Sequence, residues 1–103
     1  MSTLSSYVSE KDFMETVVEM ARRLGWLVYH TFDSRKSAAG FPDLVLTEEE
    51  EKGDRLIFAE LKSDKGKVST SQRAWHEALV HTRKCEVYIW RPLDMDLIEW
   101  ILR

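Results

Sequence analysis

The amino-acid sequence predicts a single α/β (α+β) domain over residues 1–103, with a mixed four-stranded sheet flanked by helices. A chain of 103 residues is long enough for one modest core and short for two. Four short runs rich in aromatic and β-branched residues are typical of strands, and two longer segments combine a capping signal with helical spacing. Along the chain these segments give the order αβββαβ, followed by a short C-terminal helix.

The first helix is predicted over residues 10–24. Ser9, with Asp12 three positions later, is an N-cap signal, and Gly25 ends the segment. The apolar residues of this helix share one stripe that should face the sheet: Phe13, Val17, Met20, Ala21 and Leu24.

Three strands follow, and the second and third should form an antiparallel hairpin. They are predicted over "WLVYHTF" at 26–32, "FPDLVLT" at 41–47 and "RLIFAELK" at 55–62. Pro42 falls at the start of the second strand, where a missing N–H group is tolerated. The polar segment "EEEEKGD" between the last two strands predicts the hairpin turn.

A second helix is predicted over residues 70–83, opened by a capping box of Ser69 and Gln72. It separates the third strand from "CEVYIWRP" at 85–92, so it should act as a crossover that makes those two strands parallel. Asp94 should cap the terminal helix, whose predicted apolar face consists of Leu97, Ile98, Ile101 and Leu102.

Composition excludes several classes of protein. The one cysteine, Cys85, rules out an intrachain disulfide and a cysteine zinc site. The N-terminus lacks the basic and apolar regions of a secretory signal, and no apolar run approaches the roughly 20 residues that span a bilayer. We therefore expect an intracellular, cytoplasmic protein with no membrane partner.

Positive charge is concentrated near the end of the third strand, although the formal net charge is −3. Four of the 18 acidic residues form the run at 48–51, whereas the segment from Lys62 to Arg73 has four basic residues against one acidic residue. Such a strip suits the phosphates of a nucleic acid. A solvated loop is the alternative explanation.

The predicted hairpin register sets two carboxylates against each other. Pairing Leu44 with Ala59 leaves a loop over 48–55 and puts Asp43 opposite Glu60. Cross-strand neighbours lie about 4.5–5.5 Å apart, so these carboxylates should repel each other. A divalent cation relieves such repulsion, because Mg²⁺ takes hard oxygen ligands from carboxylates and water.

Lys62 lies two residues after Glu60 and therefore on the same face of the strand. There it could orient a water and stabilise charge on a phosphoryl group. The simpler alternative is a Glu60–Lys62 ion pair at a solvated strand end, with Asp43 only a turn residue. A third carboxylate could come from the first helix, where helical phase favours Glu10 over Glu15 without deciding between them.

Several motifs of the sequence resemble those of a known family. "GFPDLVL" followed by "FAELK" looks like the bipartite motif of the PD-(D/E)xK nuclease superfamily, with its restriction-endonuclease-like core. "ELKSDKGK" and "SQRAW" make the segment from about Ser9 to Pro92 similar to the VRR-NUC family, which includes small stand-alone phage and bacterial proteins.

The resemblance implies a set of site residues. It implies metal ligation by Glu10, Asp43, Glu60 and the backbone carbonyl of Leu61, with Lys62 as the catalytic lysine and Gln72 near the scissile phosphate. The implied cofactor is Mg²⁺ or Mn²⁺. We expect phosphate contacts from basic residues that flank this site: Arg35, Lys36, Lys65, Lys67 and Arg73.

The resulting hypothesis is a metal-dependent DNA endonuclease that hydrolyses phosphodiester bonds. The resemblance implies structure-specific cleavage of branched DNA, such as Holliday junctions, in DNA repair. A chain this small would need two copies to present two sites, so we expect a homodimer. The alternatives are a nuclease-like DNA-binding module without catalysis, or a nuclease acting on flaps or RNA.

Overall fold

The computed structural model describes residues 8–31, 37–49 and 53–103, and these ranges contain three α-helices and four strands. The elements are α1 (Glu10–Arg23), β1 (Trp26–His30), β2 (Leu44–Glu48), β3 (Leu56–Leu61), α2 (Thr70–Thr82), β4 (Glu86–Trp90) and α3 (Met95–Leu102). The predicted order is therefore confirmed. No helix within these ranges has the length and apolar character to cross a membrane.

The four strands form one mixed sheet in the order β1-β2-β3-β4. β1 and β2 are antiparallel, β2 and β3 form the predicted antiparallel hairpin, and β3 and β4 are parallel. In the hairpin Leu44 pairs with Ala59 and Thr47 with Leu56, as the sequence predicted. The α2 crossover accounts for the parallel pair, because parallel neighbours need a long connection.

One face of the sheet is fully buried and the other is only partly covered. Buried strand residues alternate with less buried ones and pack against apolar residues of α1 and α3. The strands contribute Trp26, Leu44, Leu46, Ile57, Ala59, Leu61 and Trp90, and the helices contribute Phe13, Val17, Ala21, Ile98 and Leu102. The opposite face carries α2, which has no fully buried residue. There Leu27 is 54% exposed and Tyr29 is 61% exposed.

The predicted helix caps are present. The Ser9 hydroxyl accepts a hydrogen bond from the Asp12 amide at 3.0 Å, and Gly25 leaves α1 with a φ of 97° that favours glycine. Ser69 and Gln72 make the full capping box that opens α2. Leu24 departs from the predicted stripe, since it lies past the end of α1 and is 37% exposed.

The second strand begins and ends later than predicted. Phe41 and Pro42 precede β2, because Phe41 packs edge-on against Phe58 and Trp75 and Pro42 has no N–H group for a ladder. Glu48, predicted to lie in the turn, is the last residue of β2 and pairs with Trp26.

The terminal helix also differs from its prediction. Asp94 does not cap α3 with its side chain; its Oδ2 accepts from the Arg91 amide at 2.8 Å and closes a 3₁₀ turn over Pro92–Asp94. Leu97 was predicted on the apolar face but is 52% exposed. Helical period alone could not separate Leu97 from the buried Ile98, because Leu97 also lies at helical spacing, four residues before the buried Ile101.

Two side chains fasten the C-terminal end of α3 to the sheet. Trp26 Nε1 donates to the Leu102 carbonyl at 2.8 Å, and Arg55 Nη1 donates to the Ile101 carbonyl at 2.9 Å. These carbonyls lack partners within a helix end. Arg55 also stacks over the Trp26 ring at 5.1 Å and holds Glu86 with two hydrogen bonds of 2.6 and 2.7 Å.

The Arg55–Glu86 pair should contribute to stability in a pH-dependent way. Hydrogen bonds from Arg55 lower the pKa of Glu86, so its contribution is present above the unfolded value near 4.5 and is lost as the pH falls through the lower folded value. The side chains are 34% and 31% exposed, and solvent screening limits the effect of Glu86→Gln at pH 7 to about 1 kcal/mol.

Urea unfolding at pH 7 and at steps below pH 5 would measure this effect. The difference between wild type and Glu86→Gln should shrink as the pH falls. Glu99→Gln is the matched control, because Glu99 pairs with Arg103 on the exposed surface of α3. A constant difference at every pH would contradict the assigned cause.

Candidate active site

Asp43 and Glu60 meet at the end of the hairpin, on the face of the sheet that carries α2. Asp43 immediately precedes β2, where its carbonyl accepts from the Thr31 amide at 3.0 Å. Its Oδ2 accepts from the Leu61 amide at 2.9 Å. These two bonds tie Asp43 to strands on both sides, and they hold its carboxylate beside Glu60.

Glu60 is a charged residue in an apolar position. It is only 7% exposed, whereas every other residue described as buried, apart from Pro42 and Pro92, is hydrophobic. Its Oε2 accepts from Gln72 Nε2 at 2.6 Å, while its buried Oε1 has no hydrogen-bond partner. Thr31 Oγ1, Asp64 Oδ2 and Trp90 Nε1 also lack a partner, so the feature that makes this position a candidate site is a buried carboxylate next to Asp43.

The two carboxyl groups disfavour each other's ionisation. Burial raises the pKa of Glu60 to about 8, and the charge of Asp43 adds to this shift. Burial also raises the pKa of Asp43, against the hydrogen bond from Leu61. The positive charge of Lys62 opposes both shifts. Without a cation the pair therefore retains a proton near neutral pH, held chiefly by Glu60.

Gln72 links the start of α2 to this pair. Its Oε1 accepts from the Ser69 amide at 2.8 Å as part of the capping box. The amide orientation is thereby set, and its Nε2 is left to donate to Glu60. The same residue caps the helix and orients Glu60, so the sequence-predicted place of Gln72 at the site is matched by its geometry.

The segment ahead of Asp43 packs tightly on α2. Gly40 has a φ of 84°, and a Cβ there would lie 2.3 Å from the Ser71 carbonyl carbon, so only glycine fits. Trp75 Nε1 donates to the Ala39 carbonyl at 3.1 Å, and its ring lies 5.0 Å from that of Phe41. This packing fixes α2 against the segment that leads into Asp43.

Glu10 is the helix carboxylate that reaches the site. Its Oε2 accepts from the Ser63 amide at 3.3 Å, and its charge contributes to the raised pKa of Asp43. Glu15 instead lines a groove of about 410 Å³ elsewhere on α1, with Met14, Val18, Glu19, Arg22 and His30. Of the two glutamates, Glu10 is the one whose charge acts on Asp43, and its role as the third carboxylate stays a prediction.

The donor set fits a hard divalent cation. The site offers the unsatisfied Oε1 of Glu60, the adjacent carboxyl of Asp43 and the nearby carboxylate of Glu10. A cation would replace the proton that the pair otherwise keeps. Across residues 8–31, 37–49 and 53–103, no three acidic, histidine or cysteine side chains converge into a ready-made metal cluster. Ligation of a metal by Glu10 stays a prediction.

Three of the five expected DNA contacts belong to the described residues. Lys65, Lys67 and Arg73 are exposed, the lysines on either side of Gly66 and the arginine next to Gln72. Arg35 and Lys36 lie outside the described residues. Contact of these side chains with phosphate remains a prediction, as does the role of the Leu61 carbonyl.

Two contributors to the site were missed from the sequence. The Ser63 amide binds Glu10, and the Arg91 guanidinium donates into the loop that begins at Ser63. Only Arg91 had a usable signal. It follows the fourth strand directly, and parallel neighbours end at the same edge of a sheet, so it had to lie near Lys62.

Comparison with known protein families shows similarity over most of the chain. The family model described as "VRR-NUC domain" matches residues 2–91 of the chain. No curated protein and no solved structure matches it. The matched segment contains Glu10, Asp43, Glu60, Lys62 and Gln72.

Removing the Glu60 charge should stabilise the protein at alkaline pH. Because the folded pKa is raised to about 8, wild type binds more protons folded than unfolded, and its stability falls as the pH rises from about 4.5 through 8. At pH 9 without divalent cations, Glu60→Gln should unfold with a free energy about 1–3 kcal/mol above wild type.

Urea unfolding between pH 5 and 9 in the presence of a chelator would test this expectation. The advantage of Glu60→Gln should grow with pH. Glu19→Gln, an exposed change on α1, controls for the loss of one negative charge. A wild-type stability that does not fall relative to Glu60→Gln over this range would disprove the raised pKa.

Proposed function

The chain belongs to the VRR-NUC family, a nuclease-like domain that acts on DNA, and on that premise we propose that it is a Mg²⁺- or Mn²⁺-dependent endonuclease. Its reaction is hydrolysis of DNA phosphodiester bonds. The observation that carries this proposal is the Asp43–Glu60 pair, in which one buried carboxylate oxygen is unsatisfied and Lys62 stands two residues further on.

Each residue of the centre has a proposed role. Asp43 and Glu60 hold the cation, with Glu10 and the Leu61 carbonyl at its border. Gln72 keeps the Glu60 carboxylate in place through its Nε2, as the 2.6 Å hydrogen bond supports. A bound divalent cation supplies Lewis-acid stabilisation of phosphoryl charge and lowers the pKa of water.

Lys62 completes the proposed mechanism. Its ammonium group lies close enough to Asp43 and Glu60 to affect the pKa of both, so it stands beside the position of a scissile phosphate bound there. We assign it two tasks: it orients the water that attacks phosphorus in line, and it stabilises the negative charge that develops on the phosphoryl oxygens.

The strip of positive charge supports DNA as the substrate. Lys65, Lys67 and Arg73 are exposed near the carboxylate pair, where the local charge is positive despite the net charge of −3. Such residues bind phosphates without reading the sequence. Arg35 and Lys36 are further proposed phosphate contacts, on the basis of the sequence alone. Recognition would therefore depend on backbone shape, which agrees with a preference for DNA structure over sequence.

We further propose that two copies act together on branched DNA, such as Holliday junctions in repair, as in small phage or bacterial enzymes. The partly covered sheet face supports a dimer, because Leu27 and Tyr29 are exposed on edge strand β1. Asp43 and Glu60 belong to the same face of the sheet. A two-fold contact through this face would bring the two sites towards each other across the interface.

Lys62→Ala and Asp43→Ala should each abolish cleavage with the fold intact. We expect rates lower by about 10²–10³-fold for Lys62→Ala, the usual loss when a group that stabilises transition-state charge is removed. The assay is cleavage of four-way, flapped and linear DNA with Mg²⁺ or Mn²⁺, and circular dichroism checks folding. Lys84→Ala is the control, because exposed Lys84 lies in the turn before β4, at the other end of the sheet.

The same experiment separates the rival functions. Undiminished cleavage by both variants would rule out the assignment of Asp43 and Lys62 to the active site. Absence of cleavage by wild type, with Mn²⁺ binding in calorimetry that is indifferent to Asp43→Asn, would favour a DNA-binding module. Faster cleavage of a matched RNA or of the flap would make that nucleic acid the assigned substrate. The proposed roles of the active-site residues would stay the same.

Tyr29→Lys should dissociate the proposed dimer. We expect wild type of 12.1 kDa to sediment as a dimer and Tyr29→Lys as a monomer, because a buried charge opposes apolar association. Trp100→Lys is the matched control on α3, where Trp100 is 74% exposed. A monomeric wild type at tens of micromolar, or dissociation by Trp100→Lys alone, would refute association through β1.

A further inference from the structure

The loop from Ser63 to Gly66 lies between Glu10 and Arg91. On one side, the Ser63 amide donates to Glu10 Oε2 at 3.3 Å. The loop closes on itself through the Gly66 amide, which donates to the Ser63 carbonyl at 3.1 Å. Lys65 lies inside this turn and Lys67 directly follows it. The conformation of the turn therefore decides where both lysines point.

The other side of the loop wraps around one guanidinium group. Arg91 Nη1 donates to the carbonyls of Ser63 at 2.6 Å and Gly66 at 2.7 Å, with a longer contact of 3.4 Å to Asp64. Arg91 is itself fixed, since its amide donates to Asp94 Oδ2 at 2.8 Å. A charged donor shared by several carbonyls forms stronger bonds than neutral donors do.

Two further bonds register the loop against the end of β4. The Lys62 amide donates to the Trp90 carbonyl at 3.0 Å, and the Leu93 amide donates to Asp64 Oδ1 at 3.3 Å. The loop also lies close to the site itself, because a Cβ on Gly66 would be 3.5 Å from Glu10 Oε2. A shift of the loop would thus move the donor that holds Glu10.

We propose that Arg91 is a positioning residue for the site: it holds the Ser63–Gly66 loop so that Lys65 and Lys67 meet DNA phosphates and the Ser63 amide meets Glu10. This inference rests on the proposed function. Arg91 acts through the loop, because its Nη1 is occupied by loop carbonyls and its side chain is partly buried.

The test compares Arg91→Met with Arg103→Met in DNA binding. Arg103 is an exposed arginine at the end of α3, so its replacement controls for the lost charge. The probe is a 20-base-pair duplex with Ca²⁺ in place of Mg²⁺, titrated over a range of salt concentrations. Arg91→Met should bind about 10-fold more weakly, with a log–log salt slope shallower by about 1–2, the equivalent of one or two lost phosphate contacts. Arg103→Met should keep the wild-type slope.

A second pair of variants distinguishes positioning from direct contact. In a Lys65→Ala/Lys67→Ala background, Arg91→Met should change the slope little further, because the groups it acts through are gone. If Arg91 contacted a phosphate itself, Arg91→Met would lower the magnitude of the salt slope by about 0.9 in this background as well. The proposal would be overturned if the changes in salt slope caused by Arg91→Met and by the two lysine substitutions were additive. It would also be overturned if Arg91→Met alone left the salt slope unchanged.

Folding and function are checked separately. If circular dichroism shows that Arg91→Met is unfolded, Arg91→Gln replaces it with the same expectation, since glutamine is too short to span the loop carbonyls. A wild type that neither binds nor cuts DNA would overturn the proposed function and this role together. A wild type that cuts DNA while Arg91→Met binds it normally would overturn the positioning role alone.

Discussion

The enforced proximity of Asp43 and Glu60 is the constraint on which the rest of the site depends. Ile57, Ala59 and Leu61 must face the core, so Glu60 between them has to point to the other side of the sheet. A slip of one residue in the hairpin would exchange the two faces, and burial on one side forbids it. The hydrophobic core thus holds the carboxylates together against their repulsion.

The helix α2 contributes no fully buried residue to the core, so contacts at the N-terminus of α2 hold it in position. Gly40 admits the close approach of the Asp43 segment, Trp75 anchors it, and the capping box orients Gln72. Gln72 would satisfy the helix end in any fold, yet here its amide also reaches Glu60. A local folding signal and a long-range site contact are carried by one side chain, so neither is lost without the other.

The sequence predicted what depends on periodicity and missed what depends on long-range side-chain contact. Alternation and capping gave the element order, the hairpin register and hence the Asp43–Glu60 pair. The bonds of Glu10 with Ser63 and of Arg91 with Gly66 join residues 53 and 25 positions apart, and their formation depends on how whole elements pack. The exposure of Leu97 was not predicted, because helical periodicity does not show which face of a helix a neighbouring element covers. The hairpin register itself suggested a cation between Asp43 and Glu60 and the role of Lys62, whereas family resemblance supplied the Leu61 carbonyl and the place of Gln72.

Two glutamates of the same sheet show why the carboxylate pair indicates function. Glu86 is bound by Arg55 and Tyr88, and the Arg55 hydrogen bonds lower its pKa, which stabilises the fold at neutral pH. Glu60 is more buried, faces another carboxylate and leaves Oε1 unsatisfied, so its raised pKa marks a destabilising charge. A structural ion pair would shift the pKa of Glu60 in the direction seen for Glu86. The opposite shift distinguishes Glu60 from a structural ion pair and makes it a candidate functional carboxylate, as the proposed cation site requires.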